Sequence, residues 1–390
     1  MWIHEYQAKD ILREYGIPVP RGRVARTPAE AREIALEIGS DEVAIKAQIH
    51  AGGRCKGGGI KLASTPWEAQ DVASKIIGMQ LITAQTGLEG KKVRCVLVEE
   101  AQKIKREIYL AIINRAKKRE QPVFVASEAG GVEIEEITSK SPEKIIRVYA
   151  NPDGSYSGFE GRKIAYGLGL EKSLVHEVSQ IIKNLHRLFI EKDASFAEIN
   201  PLAITEGGEL LALDVKINFD DDALFRHPEI RELRDLYEEE PLEAEARDVG
   251  ISYIRLDGNV GCMANGAGLA MTTMDLIKLW GGEPANFLDI GGRASTEQIG
   301  KAFRILNSDD KVKAIFVNIF GGILRCDRVA SGIVDALSSQ DLRHPMVVRI
   351  HGTNAEEGMR ILKESSLKFE VAEDFNEAAQ RVVHMARSQP

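Results

Sequence analysis

Beyond residue 257 the sequence settles into an alternation of short apolar runs and helical patterns. Runs at 260–264, 285–290, 314–319, 346–350 and 368–371 are each followed by a helical pattern, at 269–280, 296–306, 327–338, 355–365 and 376–386. Five β–α units of this length predict a parallel sheet covered by helices on both faces. Ligands of such sheets bind at the carboxyl ends of the strands. Those ends carry Asn265-Gly266, Gly291-Gly292, Gly321-Gly322 and Gly352-Thr353-Asn354. One glycine pair marks only a tight turn, but four small-residue turns on one edge predict a ligand-binding edge. The turn at 265–268 stands directly before a helix. Free backbone N–H groups and the helix dipole there suit a phosphate or a carboxylate.

The first 240 residues are less regular. Strands are expected at 43–48, 93–99, 107–113 and 123–127, and a helical region at about 161–192. The N-terminal MWIHEYQAKDILREYG reads as an amphipathic helix without the apolar core of a signal peptide. A hairpin is expected from 196–204 and 209–217 around Glu206-Gly207-Gly208. The densely charged 229–246 segment reads as a solvated helix and linker. This puts a domain boundary near its end and divides the 390 residues into 1–245 and 246–390. A net charge of −8 argues against a nucleic-acid partner. No apolar run is long enough to span a bilayer. Four widely spaced cysteines with no CxxC pair argue against a disulfide framework or zinc site, and a reducing cytoplasm is expected.

Three constellations in the N-terminal half could carry chemistry. The hairpin strands SFAEINPLAIT and ELLALDVKINF place Glu198 and Asn200 on one face, with Asp214 across the turn. A carboxylate and an amide oxygen on rigid strands suit Mg²⁺, which takes few protein ligands; a polar cross-strand pair is the plainer alternative. The stretch VAIKAQIHAGGRCKGGG delivers Lys46 from a strand and follows it with a glycine-rich loop holding Arg54 and Lys56. Such a loop can close over a triphosphate, although it lacks the GK[ST] of a Walker A loop. It could equally be a solvated surface loop, but a lysine inside an apolar strand needs an assigned partner. In VLVEEAQKIKREIYLAI, Glu99 and Glu100 end one strand and Glu107 opens the next, so a carboxylate could hold ribose hydroxyls or simply face water. The eight histidines form no metal-binding spacing.

Together these segments resemble the β-subunit family of succinate–CoA ligases (succinyl-CoA synthetases). The resemblance is carried by HEYQAK, KAQIHAGGR, GGVEIE, EINPLAIT, ALFR, LDGNVGCMANGAGLAM and GGEPANFLDIGG, in order across nearly the whole chain. It implies an α/β chain: an N-terminal ATP-grasp fold followed by a flavodoxin-like parallel α/β ligase domain. It further implies that Lys46, Gly53, Arg54 and Cys55 contact the phosphates of ATP, and that Glu99, Gln102 and Glu107 hold adenosine. Asn200 and Asp214 would bind Mg²⁺, and Asn265, Gly322, Ile323 and Leu324 the acid substrate. In that family a partner α subunit carries the phosphohistidine and binds CoA, in an αβ or α2β2 assembly. Glu198 matches a catalytic glutamate that meets this histidine near the nucleotide. The helix starting near Gly266 matches one that cradles the phosphohistidine.

The chain departs from the common family pattern at Cys55, Arg293 and Leu324, where glycine, glycine and valine are usual. Arg293 and Leu324 border the expected acid site, and an added guanidinium could hold another carboxylate or hydroxyl. That raises malate–CoA ligase and citryl-CoA synthetase as alternatives to an ADP-forming succinate enzyme. FDDDALFR also resembles the malate enzyme. Two other classes compete: an ATP-grasp carboxylate–amine ligase with no partner, and a non-catalytic regulatory subunit.

Overall fold

The computed structural model describes all residues except 115–120, 133, 152–154, 339–340, 366 and 390, and does not describe the side chains of 136 and 140. Glu133 of the GGVEIE segment therefore lies outside the described residues. The chain divides into two compact units, Met1–Glu238 and Glu239–Pro390. The division precedes the expected boundary by seven residues (245 − 238). The charged 229–246 segment is not one solvated helix. Pro228–Arg231 buries Ile230 in the first unit, and Pro241–Val249 buries Ala246 in the second.

Among the described residues the first unit contains two large antiparallel sheets and a two-stranded one, Gln80–Leu81 with Lys91–Lys92. One has the order Gly22–Ala25, Val96–Glu100, Val43–Ala47, Ile60–Ala63 and packs on helices Pro28–Ile38 and Pro66–Ile76. Both helices open alike, with Thr27 and Thr65 capping the N–H of Glu30 and Glu68, and proline in the first turn. The other sheet runs Leu210–Ala212, Ala194–Thr205, Ile104–Ile113, Val123–Ser127, Ile145–Tyr149, with Val215–Phe219 also pairing Ala194–Thr205. Its apolar face packs on Glu5–Glu14, Phe159–Gly167 and Lys172–Glu191. The last two replace the single expected helical region. They are separated at Leu168–Leu170, where Gly169 takes φ +62° and the Leu170 N–H closes back on the Ala165 carbonyl. The expected hairpin forms, but its return strand breaks at Leu213 and Asp214.

The second unit carries the five expected strands in the order Asn286–Asp289, Val260–Ala264, Ala314–Gly321, Met346–Gly352, Glu370–Val371, all parallel. In chain order this is 2-1-3-4-5, the flavodoxin-like arrangement. Ser252–Arg255, not expected from the sequence, pairs antiparallel with Asn286–Asp289 at the edge. The central strand shows why a buried strand reads as continuous apolar sequence. Ile315, Val317 and Ile319 face helices Thr296–Ser308 and Cys326–Leu337, whereas Ala314 and Phe316 face Ala267–Leu279 and Phe375–Ser388.

Candidate active site

In the first unit the strand Val43–Ala47 delivers Lys46 into the body of the fold. Its ammonium lies 2.5 Å from Glu99, 3.2 Å from Glu5 and 2.7 Å from the Leu213 carbonyl. Lys9 sits beside it, 2.5 Å from Glu99, 2.9 Å from Glu5 and 2.7 Å from the same carbonyl. The break in the return strand exposes that carbonyl to both lysines. Arg54 leaves the glycine-rich loop and turns inward. It donates to the Ala47 carbonyl at 2.7 Å, to Glu5 at 2.6 Å and to Asp214 at 2.8 Å. Three cations thus meet three carboxylates, and all but Asp214 are buried.

Burial opposes the charge on Lys46, but Glu5, Glu99 and Asp214 outweigh it and hold the ammonium above its ordinary pKa. Burial likewise works against ionised Glu5, and Lys46, Lys9 and Arg54 reverse it, leaving the carboxyl well below its usual range. The network is therefore a set of fixed, mutually compensated charges.

A cavity of about 650 Å³ opens beside this network, lined among others by Glu5, Gly52, Arg54, Glu198, Asp214 and Lys216. Glu198 and Lys216 face each other across neighbouring strands, 3.4 Å apart. Burial raises the Glu198 carboxyl above its ordinary range, Lys216 pulls it down, and Asp214 adds to the rise. Asn200 sits where the pairing register shifts, and its amide bridges the Gly131 N–H at 2.8 Å and the Val132 carbonyl at 3.0 Å. Its backbone N–H bonds the Asp214 carbonyl at 2.9 Å, so these two expected metal ligands are backbone neighbours.

The other expected nucleotide residues stand as follows in the first unit. Glu99 is buried and bonded to Lys9 and Lys46. Gln102 lies half-buried in the connection before Ile104–Ile113, and Glu107 lies half-buried near that strand's start, against Gly131. Cys55 is exposed, and Gly53 stands at the base of the loop with φ +73°. Glu5, Lys9 and Lys216 were not expected as site residues. Glu5 and Lys9 had a signal: they lie with Ala8 and Leu12 on the buried stripe of the first helix.

In the second unit the switch point falls between Val260–Ala264 and Ala314–Gly321. The Asn265 amide clasps the far strand end, accepting from the Phe320 N–H at 2.9 Å and donating to its carbonyl at 2.8 Å. Asp289 ties two turns together by accepting from the N–H groups of Gly266 and Gly291, at 2.6 and 2.7 Å. A methyl group added at Gly266, Gly268, Gly291 or Gly322 would meet nothing within 4 Å, so backbone here faces open space. Gly321 and Gly352 are different. They are packed against each other, with a Cβ on Gly352 falling 2.2 Å from the Gly321 carbonyl. Ile323 is exposed, but the Leu324 side chain is buried in the core, so only its backbone is available to a ligand. Arg293 is exposed with no side-chain partner among the described residues.

Comparisons with known proteins agree with this geometry. Residues 2–204 match the ATP-grasp domain family and residues 263–383 the CoA-ligase family. The chain is 53% identical to the succinate–CoA ligase (ADP-forming) β subunit of a Nitratiruptor species over 100% of both chains. Identity is 51% to that of Geobacillus thermodenitrificans, over 99% of this chain and 100% of the relative, and 52% to that of Nautilia profundicola over 100% of both. Among solved structures, ATP citrate lyase from Methanothrix soehngenii in complex with citrate and coenzyme A shares the fold. Its TM-score is 0.72 at 18% identity, covering 100% of this chain and 99% of that one. The fold is therefore an ATP-grasp domain followed by a CoA-ligase domain, and the chain belongs to the family of ADP-forming succinate–CoA ligase β subunits.

Proposed function

We propose that this chain is the β subunit of an ADP-forming succinate–CoA ligase that works with an α subunit. The complex converts ATP, succinate and CoA to ADP, phosphate and succinyl-CoA. The observation that carries this reading is the pairing, in one chain, of a cation-lined cavity with a separate edge of open backbone turns. Phosphate transfer between two such sites calls for a carrier, and we assign it to a histidine of the α subunit. The terminal phosphoryl of ATP passes to an imidazole nitrogen and ADP departs. At the second site a succinate carboxylate oxygen attacks phosphorus, freeing the histidine and forming succinyl phosphate. The CoA thiolate then attacks the acyl carbon and phosphate leaves.

Arg54 lines the cavity and Lys46 is buried in the same network, so their positive charge is in place before a phosphate arrives. Glu198 lines the same cavity and can accept a hydrogen bond from the incoming imidazole. Asn200 and Asp214, joined through their backbones, carry oxygen donors of the hard kind that Mg²⁺ takes, too few to enclose the ion, and they would hold it with phosphate and water completing the shell. When bound, the ion would offset phosphate charge.

Among the described residues no helix is long and apolar enough to cross a membrane. We place the complex in the cytoplasm, as αβ or α2β2, which light scattering distinguishes. Co-expression with an α-type subunit and a thioester assay across succinate, malate and citrate tests the reading. Succinate should turn over fastest; faster malate or citrate overturns the choice of acid. Ligation of an amine by the isolated chain overturns the need for a partner.

A further inference from the structure

We propose that Glu5 is a positioning residue of the phosphoryl-transfer site, its carboxylate holding the Lys46 ammonium and the Arg54 guanidinium at a fixed separation. The inference rests on the function proposed above. The two Glu5 oxygens divide the cations of the network between them. Oε1 accepts from Lys46 at 3.2 Å, with Lys9 2.9 Å away, and Oε2 accepts from Arg54 at 2.6 Å and Gln48 at 3.3 Å. Glu5 joins three elements: the first turn of Glu5–Glu14, the strand Val43–Ala47 and the loop carrying Arg54. Without it, Lys46 would keep Glu99 and the Leu213 carbonyl, and Arg54 would keep Ala47 and Asp214, but no single side chain would bond both cations.

A carboxylate lining a phosphate cavity repels the substrate. Glu5 lines that cavity and is itself only 5% exposed. Its contribution to nucleotide affinity is therefore unfavourable, and its contribution to geometry has to appear in the transfer rate. That sign separates a positioning role from a phosphate-binding one.

The test is rapid-quench phosphorylation of the partner subunit from labelled ATP, using complexes of wild type, Glu5→Gln and Glu5→Asp. Glu5→Gln should lower the rate constant about 10²-fold with KM for ATP unchanged or lower, the size expected of misplacement by about 1 Å. Glu5→Asp keeps the charge but is one methylene short of spanning both cations, so its rate should lie near that of Glu5→Gln. Phosphorylation of the same histidine from succinyl-CoA and phosphate, at the other domain, controls for folding and should match wild type. A Glu5→Asp rate equal to wild type overturns the inference. So does a raised KM with unchanged rate constant, or equal loss of both half-reactions. No phosphorylation by the wild-type complex overturns the functional reading, and the inference with it.

Discussion

In the Met1–Glu238 unit the candidate site is a knot of six charged side chains, whereas the sheet edge of the Glu239–Pro390 unit offers mainly backbone. Lys9, Lys46 and Arg54 meet Glu5, Glu99 and Asp214 in the first. In the second, glycine turns face open space, and Asn265 and Asp289 brace those turns by bonding their N–H and carbonyl groups. Under the proposed function the difference follows from the task. A phosphoryl group in transfer needs positive charge held in place before it arrives. An anion already delivered can be held by backbone N–H groups and a helix terminus.

Removing a charge from the first site should have the largest effect. Lys46→Met leaves buried Glu5 and Glu99 short of a partner. It should cost about 3–5 kcal/mol in urea unfolding and lower partner phosphorylation by at least about 10²-fold. Stability unchanged by this substitution would mean that the network is not balanced. A pair of glycine substitutions then sharpens the contrast within the second site. Gly352→Ala would put a Cβ 2.2 Å from the Gly321 carbonyl at φ +96°, and should cost more than about 2 kcal/mol. Gly322→Ala points into open space and should leave stability within about 0.5 kcal/mol, while raising KM for succinate several-fold. Equal melting temperatures for the two variants would erase the distinction between packing and ligand glycines. The smallest effect is expected for Arg293→Ala, whose side chain is exposed and unpartnered among the described residues. Stability should again stay within about 0.5 kcal/mol, and KM for succinate should hardly move. A large rise would add a cation to the second site and break the comparison.

The second unit was legible because its signals are local. Strand runs, helix periods and the turns at their ends lie within a few residues of each other, and only the edge strand Ser252–Arg255, inside what read as the approach to the domain, was missed. The two capped helices of the first unit were also missed, although Thr27-Pro28 and Thr65-Pro66, each with glutamate three residues after threonine, announce them. Lys46 was legible because a lysine in an apolar strand demands partners, but Glu5 and Lys9 lie 41 and 37 residues away from it. Nothing nearby in sequence claims the Glu99 carboxylate; Lys9, ninety residues earlier, bonds it. The break at Leu213 was hidden inside an unbroken alternating pattern. It leaves the Leu213 carbonyl to accept from Lys9 and Lys46, which lie far away in sequence. The resemblance named Leu324 for the acid substrate without telling that its side chain enters the core and leaves only its backbone for a ligand.

The central claim is that phosphoryl transfer from nucleotide and transfer to the acid occur at two separate sites, one in each unit. Asp214→Asn addresses it most directly. Asp214 lines the first cavity and bonds Arg54, and it belongs to the first unit. The two half-reactions should be measured in the same complex: phosphorylation of the partner from ATP, and succinyl-CoA formation from a partner already phosphorylated. The predicted result is a loss of at least about 10²-fold in the first, with metal–nucleotide use weakened, and a second half-reaction close to wild type. Equal loss in both would contradict two separate sites.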